Sequence, residues 1–508
     1  MQLRRNIVAN YLGQGWSALM GLAFVPFYIR YLGFEAYGLI GVFVLLQTLL
    51  ALLDLGLTPA LSLEMSRYKA GAHGIGFIRD LVRSVELIAL GIGLAIIAGC
   101  WLAADWIAND WLNGARLRHG EIAQAFVIMG GVAALRFFEN VHRSCLIGLQ
   151  EQVLVNVITS VTATCRGAGA VLVLAWISPT ISAFFVWQGI VSALCALAML
   201  VALYRRVPIT LRLANFSANA LRSVWKFAGG MLLIAVLSLL LTQMDKIILS
   251  KLISLEDFGY YSLAATVANL LYMVVLPVSQ AYYPHFSALL VQKDDEGLAQ
   301  SFHKAAQLVS VIAGSLAFVL IAFGDHVVLL WTHDLALAKR VSPLVSVMAL
   351  GTLLNGLLWI PHQMQLAHSI TRLAVRTNLV AILVVLPALC WITPRYGALG
   401  AAWVWVALNT GYLVFNAHLM YRRILQSQRR TWYLQDVGVP VLTLAMVAAI
   451  CRSGFAAPSA VTSSFLTVAA VLFALLVASS LAASTVRAWL KSVPSSLSGT
   501  TATRSAHS

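Results

Sequence analysis

The sequence predicts an all-α polytopic membrane protein of about 14 transmembrane helices, arranged as two six-helix lobes around a central cavity plus two C-terminal helices. Three observations carry this expectation. Apolar stretches of roughly 20 residues recur along the chain, the length a helix needs to cross a bilayer. Lys and Arg crowd into every second gap between them, the bias of cytoplasmic loops. Of 508 residues, 60% are hydrophobic and only 10% charged, with a mean hydropathy of +0.85; a soluble domain is about a quarter charged.

Taken in order, the expected helices cover 7–29, 38–62, 84–104, 121–146, 152–176 and 181–203 in the first lobe. The second lobe holds 226–249, 259–284, 306–323, 342–366, 373–392 and 398–420, and the last two helices are 437–452 and 464–485. The corresponding segments are 1–224, 225–424 and 425–491, with a Ser/Thr-rich tail at 492–508 expected to be disordered and cytoplasmic. The first apolar run continues past Phe27, too long for the apolar core of a cleavable signal, so none is expected.

Counting Lys and Arg by alternate gaps gives 21 on one side and 8 on the other. The richer side includes Arg4, Arg5, Arg67, Lys69, Arg205, Arg206, Arg212, Arg222, Lys226, Arg372, Lys491 and Arg504. The bias predicts cytoplasmic termini. The net charge of +15 would point to nucleic acid in a soluble protein. Here it is topological, with basic loops beside anionic lipid, and no nucleic-acid partner is expected. The six cysteines stand singly, with no CxxC, and read as packing residues. Trp101, Trp106, Trp111, Trp331 and Trp432 read as interfacial belts. Two inside connectors, 63–83 and 286–305, are amphipathic and suited to lie along the inner leaflet.

A weak repeat links the halves. Tyr31 to Leu39 and Leu252 to Tyr261 are both short outside turns with an acidic residue and an aromatic/Gly pair, each opening a long helix. Six helices separate them, so the repeat is parallel, a common transporter plan.

Several residues carry a resemblance. Phe27 to Gly33, Tyr37-Gly38, Leu53-Asp54-Leu55-Gly56-Leu57 and Glu64 to Arg67 resemble the opening of polysaccharide-biosynthesis membrane proteins. Gln243-Met244-Asp245-Lys246-Ile247-Ile248-Leu249, with Gly259 to Ser262, is similar to that family's seventh-helix signature. The family is the Wzx-type lipid-linked oligosaccharide flippases of the multidrug/oligosaccharidyl-lipid/polysaccharide exporter superfamily. The resemblance implies a flippase working by alternating access on an undecaprenyl-diphosphate-linked oligosaccharide, for O-antigen, capsule or exopolysaccharide. It also implies a polysaccharide polymerase and a chain-length regulator as partners, and no cofactor.

Ionisable groups inside hydrocarbon are costly, so each is a functional candidate. Arg136, Glu139 and Arg143 fall at i, i+3 and i+7, on one face of the fourth helix. Arg166 lies mid-way along the fifth, Asp54 near the inner end of the second, and Asp245 and Lys246 toward the outer end of the seventh. Guanidinium groups bind phosphate oxygens bidentately and stay charged. Arg136, Arg166 and Lys246 are therefore the expected head-group contacts. The competing use is a set of internal salt bridges, Arg136 with Glu139 and Asp54 with some arginine. Asp54, Glu139 and Asp245 are the candidates for ion coupling or such bridges. Arg143 and Arg30 lie near helix ends and are expected to snorkel. Asn355, His362, Gln363 and Gln365 around Pro361 are assigned to capping inner helix ends rather than to contacting sugar.

Other classes fit less well. A glycan polymerase or transferase would carry a large external loop, and none here exceeds about 20 residues. Asp294-Asp295-Glu296 reads as a solvated turn rather than a metal site, and no Walker A motif occurs. A peptidoglycan-precursor flippase or a cation-coupled drug exporter of the same superfamily are the remaining alternatives.

Overall fold

The computed structural model describes residues 2–488 except 55, 208–214, 218–235, 369–370, 456 and 459. Arg212, Arg222, Lys226, Lys491, Arg504, the expected boundary at 224, the start of the seventh expected helix and the C-terminal tail lie outside the described residues. So does the Arg372 side chain.

Helices follow one another with short connections: α1 (Gln2–Ala23), α2 (Val25–Leu50), α3 (Leu57–Lys69), α4 (Ile75–Trp106), α5 (His119–Gly148), α6 (Gln152–Trp176) and α7 (Ile181–Arg206). After residues 208–235 come α8 (236–252), α9 (Leu255–Asn269), α10 (Tyr272–Gln292), α11 (Asp295–Thr332), α12 (Leu335–Leu357) and α13 (Trp359–Ala367). The chain continues with α14 (Thr371–Gly411), α15 (Ala417–Tyr421), α16 (Arg429–Thr431), α17 (Val439–Gly454) and α18 (Val461–Ala482). Two compact units divide within α9, between Gly259 and Tyr260.

The protein is all-α and polytopic. Among the described residues ten helices are long and apolar enough to span a membrane, and the bent pair α9 and α10 makes an eleventh. One of the ten, Val375–Tyr421, has 47 residues. At 1.5 Å per residue that is about 70 Å, more than twice the roughly 30 Å hydrocarbon core. Its break is at Gly397 (φ 57°), between the two helices expected at 373–392 and 398–420. The expected first span, 7–29, is interrupted at Phe24, because Pro26 opens α2 and cannot donate to the preceding turn. The outside turn expected at Tyr31 to Leu39 is instead helical, with a kink inside α2 at Gly33 (φ 79°).

In the first unit, α3 and α4 fold back on each other at Gly71 and pack on α5 and α7. Leu57, Leu61 and Met65 meet Ile78, Leu81, Val85, Val141, Leu146 and Met199, all buried. The amphipathic face expected along the inner leaflet at 63–83 is therefore core: Ile78, Leu81 and Val82 turn toward protein. Leu298 and Phe302, in the second such connector, are likewise buried.

α3 and α5 approach closely because Gly148 has no side chain. A Cβ there would meet the Ser62 carbonyl and lie 2.7 Å from Met65 Cβ. The contact is clasped by Ser66 Oγ donating to the Gly148 carbonyl at 3.0 Å and Lys69 Nζ donating to that of Leu149 at 2.6 Å. Gly148→Ala should destabilise by about 1–3 kcal/mol through overpacking, read as a lower thermal midpoint of the detergent-solubilised protein.

The two copies of the repeat meet in this unit. Gly38 packs on the Leu255 carbonyl and Gly259 on that of Phe34. The Leu255 N–H donates to Asn113 O at 2.9 Å. Glu35 holds the neighbouring loop, accepting from the N–H groups of Ala115 (2.7 Å), Arg116 (2.8 Å) and Leu117 (3.2 Å).

In the second unit α11 packs against α10, α12, α17 and α18. Asp294 caps α11, accepting from the Gly297 N–H at 2.8 Å, and Asp295 and Glu296 stand in the first turn of that helix. Trp432 is not interfacial. It is fully buried between Tyr421 and Tyr433, because α16 and its continuation turn inward against α11. Nearby, Asp436 accepts from Gln307 at 2.8 Å and bonds His303 Nδ1.

Candidate functional site

The helical period places the polar residues of three helices on one space in the first unit. α5 supplies Arg136, Glu139 and Arg143; α6 supplies Asn156, Thr159, Thr162 and Arg166; α1 supplies Gly13, Gln14 and Ser17. Steps of three and four along each helix align these groups on single faces. They line a cavity of about 490 Å³, together with Tyr28 and Gln188. Small residues on α1 leave the room.

Arg136 and Arg166, both expected contacts, are brought together here. Arg136 donates to Gln47 Oε1 (2.8 Å), Gln188 Oε1 (3.2 Å) and Ser192 Oγ (3.5 Å), and its guanidinium lies 5.1 Å from the Phe43 ring centroid. These partners are neutral. They fix the fork without cancelling its charge. Arg166 pairs with Glu139 at 2.8 Å and donates to the same Ser192 Oγ at 3.2 Å. One hydroxyl thus sits between two guanidinium groups, and Glu139, only 6% exposed, relieves their repulsion. The expected Arg136–Glu139 bridge is made by Arg166 instead, from the neighbouring helix.

Arg166 Nε is buried without a hydrogen-bond partner. Such a donor costs about 1–3 kcal/mol until an oxygen accepts from it. Three guanidinium groups against one carboxylate leave the lining with two net positive charges. A cavity of that charge can receive an anionic group.

The remaining candidates stand elsewhere. Asp54 accepts from the Thr58 N–H (3.2 Å) and hydroxyl (2.8 Å), capping the start of α3. Asp54→Ala should cost about 1 kcal/mol of stability, read as a lower thermal midpoint of the detergent-solubilised protein. Lys246 donates to Gln243 Oε1 at 3.0 Å along α8. Neither it nor Asp245 is among the residues lining this cavity.

Some members were not anticipated. Arg143 lines the cavity, although its place near the α5 end suggested snorkelling. Gln47, Gln188 and Ser192 hold Arg136 from α2 and α7, and neutral residues in apolar runs give no sign of that. A second polar group lies across α5. His142, fully buried, is fixed through Nδ1 by the Phe138 carbonyl (2.9 Å) and meets Glu86 through Nε2 (3.0 Å), to which Tyr204 also donates at 3.0 Å.

Comparison with known proteins places this geometry in context. Residues 29–333 match the family model described as "Polysaccharide biosynthesis protein". A Shigella flexneri protein named as an O-antigen transporter is 21% identical over 410 residues, covering 80% of this chain and 94% of that protein. The succinoglycan biosynthesis transport protein ExoT of Rhizobium meliloti (strain 1021) is 26% identical over 328 residues, covering 62% of this chain and 61% of that protein. Among solved structures, the lipid II flippase MurJ in an inward closed conformation superposes with a TM-score of 0.72 at 13% identity, over 94% of this chain and 98% of that one. An inward-facing multidrug resistance MATE family transporter gives 0.67 at 14% identity, over 82% and 95%. These likenesses establish the fold.

Proposed function

Because the chain belongs to the polysaccharide biosynthesis protein family, we propose that it is a flippase carrying an undecaprenyl-diphosphate-linked oligosaccharide across the bacterial inner membrane. The observation that carries this reading is the cationic cavity of the first unit. The Shigella and Rhizobium relatives are named for transport of O-antigen and for succinoglycan biosynthesis, which gives the cargo class.

The physical problem is the head group. Moving one charge into hydrocarbon is expensive, and a diphosphate carries two. Arg136, Arg143 and Arg166 replace its water with preformed donors, while the apolar prenyl tail stays in lipid. Arg136 is hydrogen-bonded by neutral groups, while the Glu139 carboxylate makes its ion pair with Arg166. Glu139 holds Arg166 in place between cycles and can give up that contact when phosphate arrives. Alternating access then moves the bound head group from the cytoplasmic to the outer face. No bond is made or broken, so no catalytic residue is required. Export supplies units to a polysaccharide polymerase acting with a chain-length regulator. The excess of Lys and Arg in alternate gaps supports cytoplasmic termini.

Reconstitution tests the reading. Proteoliposomes loaded with extracted lipid-linked oligosaccharide should expose it to an external glycosidase at a rate that rises with protein content. Equal exposure in protein-free vesicles overturns the proposal.

A further inference from the structure

The second unit contains its own polar cavity, of about 410 Å³. Its walls are unlike those of the first. They hold amides, aromatic rings and the His362 imidazole, among them Trp359, Gln365, Asn378, Tyr412 and Asn416, and no carboxylate, ammonium or guanidinium group among the described residues. An anionic head group finds no guanidinium or ammonium here, and a metal cation finds one imidazole and no carboxylate.

The backbone around this cavity is irregular in two places. α12 breaks at Leu358, and α13 restarts at Trp359 with Pro361 in its first turn. Residues Tyr412–Asn416 form a π-helical segment at the end of α14. Broken helices and π-bulges inside membranes persist where they line a cavity, and often mark ligand sites.

The polar groups are partly pre-arranged. Trp359 Nε1 donates to Asn355 Oδ1 at 3.2 Å, Asn355 Nδ2 to Asn409 Oδ1 at 2.8 Å, and the Tyr412 hydroxyl to Asn378 Oδ1 at 3.0 Å. Those bonds orient both rings. Two amide ends are left over. Gln365 Oε1 and Asn416 Oδ1 are buried without partners, and Gln365 is only 2% exposed. A ligand for this cavity must bring hydroxyl donors for buried acceptors, a ring face for Trp359 and Tyr412, and no charge.

We propose that this cavity is a neutral saccharide subsite that reads the glycan of the transported lipid, separately from the diphosphate cavity. The proposal rests on the flippase reading above. It reassigns Asn355, His362, Gln363 and Gln365 from helix capping to the walls of a binding site.

Two probes separate the possibilities, measured on the full protein in lipid nanodiscs. One is the lipid-linked oligosaccharide extracted from host cells lacking their polymerase. The other is the same polyprenyl diphosphate without sugar. The wild type should bind the glycosylated lipid about tenfold or more tightly, since a site built for hydroxyls rejects a ligand lacking them. Trp359→Leu and Gln365→Leu should erase that preference and leave affinity for the sugar-free lipid unchanged, while Trp359→Phe should keep most of it. Variants that lose both lipids equally, or neither, overturn the subsite. Should the leucine variants not fold, competition on the wild type decides: free oligosaccharide must weaken binding of the glycosylated lipid and not of the sugar-free one, and any other pattern overturns the subsite. A wild type that binds neither lipid overturns the flippase reading itself.

Discussion

Arg136→Ala should lower glycan export by on the order of 100-fold while the protein still inserts and folds. Truncating one partner of a desolvated charge contact costs about 2–5 kcal/mol, and 1.4 kcal/mol is a factor of ten. The effect should fall on export because Arg136 is hydrogen-bonded by neutral groups alone, and without it Gln188 still donates to the Arg166 carbonyl and Ser192 still accepts from Arg166. Arg136→Lys should lie between the two. An ammonium keeps the charge but cannot span Gln47 and Gln188 with one planar fork. Surface glycan per unit of membrane-inserted protein is the readout. Normal export by Arg136→Ala would return this residue to a purely structural role.

The second large effect concerns stability. Glu139→Leu should destabilise the first unit by about 3–5 kcal/mol, the cost of stranding one member of a buried pair. Arg166 would lose its 2.8 Å counter-ion and face Arg136 across a single shared hydroxyl. Glu139→Leu/Arg166→Leu should recover most of that stability, because two apolar side chains of similar volume replace a buried pair at little net cost. Export should not recover, since a head-group cation is gone. Thermal unfolding of the three variants beside their surface glycan separates the roles. A double variant that is stable and exports normally would leave the pair a structural bridge and nothing more.

Much of this was legible in the sequence, for definable reasons. Span positions follow from apolar run length, which the bilayer imposes so strongly that packing seldom overrides it. Arg136, Glu139 and Arg166 stand out because an ionisable group in such a run is rare. Less was legible where the deciding information is tertiary. Arg143 reads as a snorkelling residue unless one knows that α1 and α6 stand beside it. Ile78 and Leu81 read as a lipid-facing stripe because sequence period shows an apolar face, not what covers it. Here the covering surface is α5. Trp432 failed in the same way, its ring filling a space made by Tyr421 and α11. The partner of Glu139 was misassigned because an i, i+3 neighbour is visible in one dimension and a neighbouring helix is not. The amides around Leu358 had no periodic signal at all; their meeting with Tyr412 and Asn416 depends on two irregular turns about 55 residues apart.

A flippase moves its lipid-linked glycan from one leaflet to the other. The most direct measurement is the sidedness of that lipid in a clean deletion strain, scored by accessibility to a membrane-impermeant glycan-modifying reagent in spheroplasts and in inverted vesicles. The account predicts complete lipid-linked units, reactive only in inverted vesicles, with surface glycan lost and both restored by the intact gene but not by Arg136→Ala. Units that reach the outer face unpolymerised, or that are never completed, would contradict it and assign the protein to a step before or after translocation.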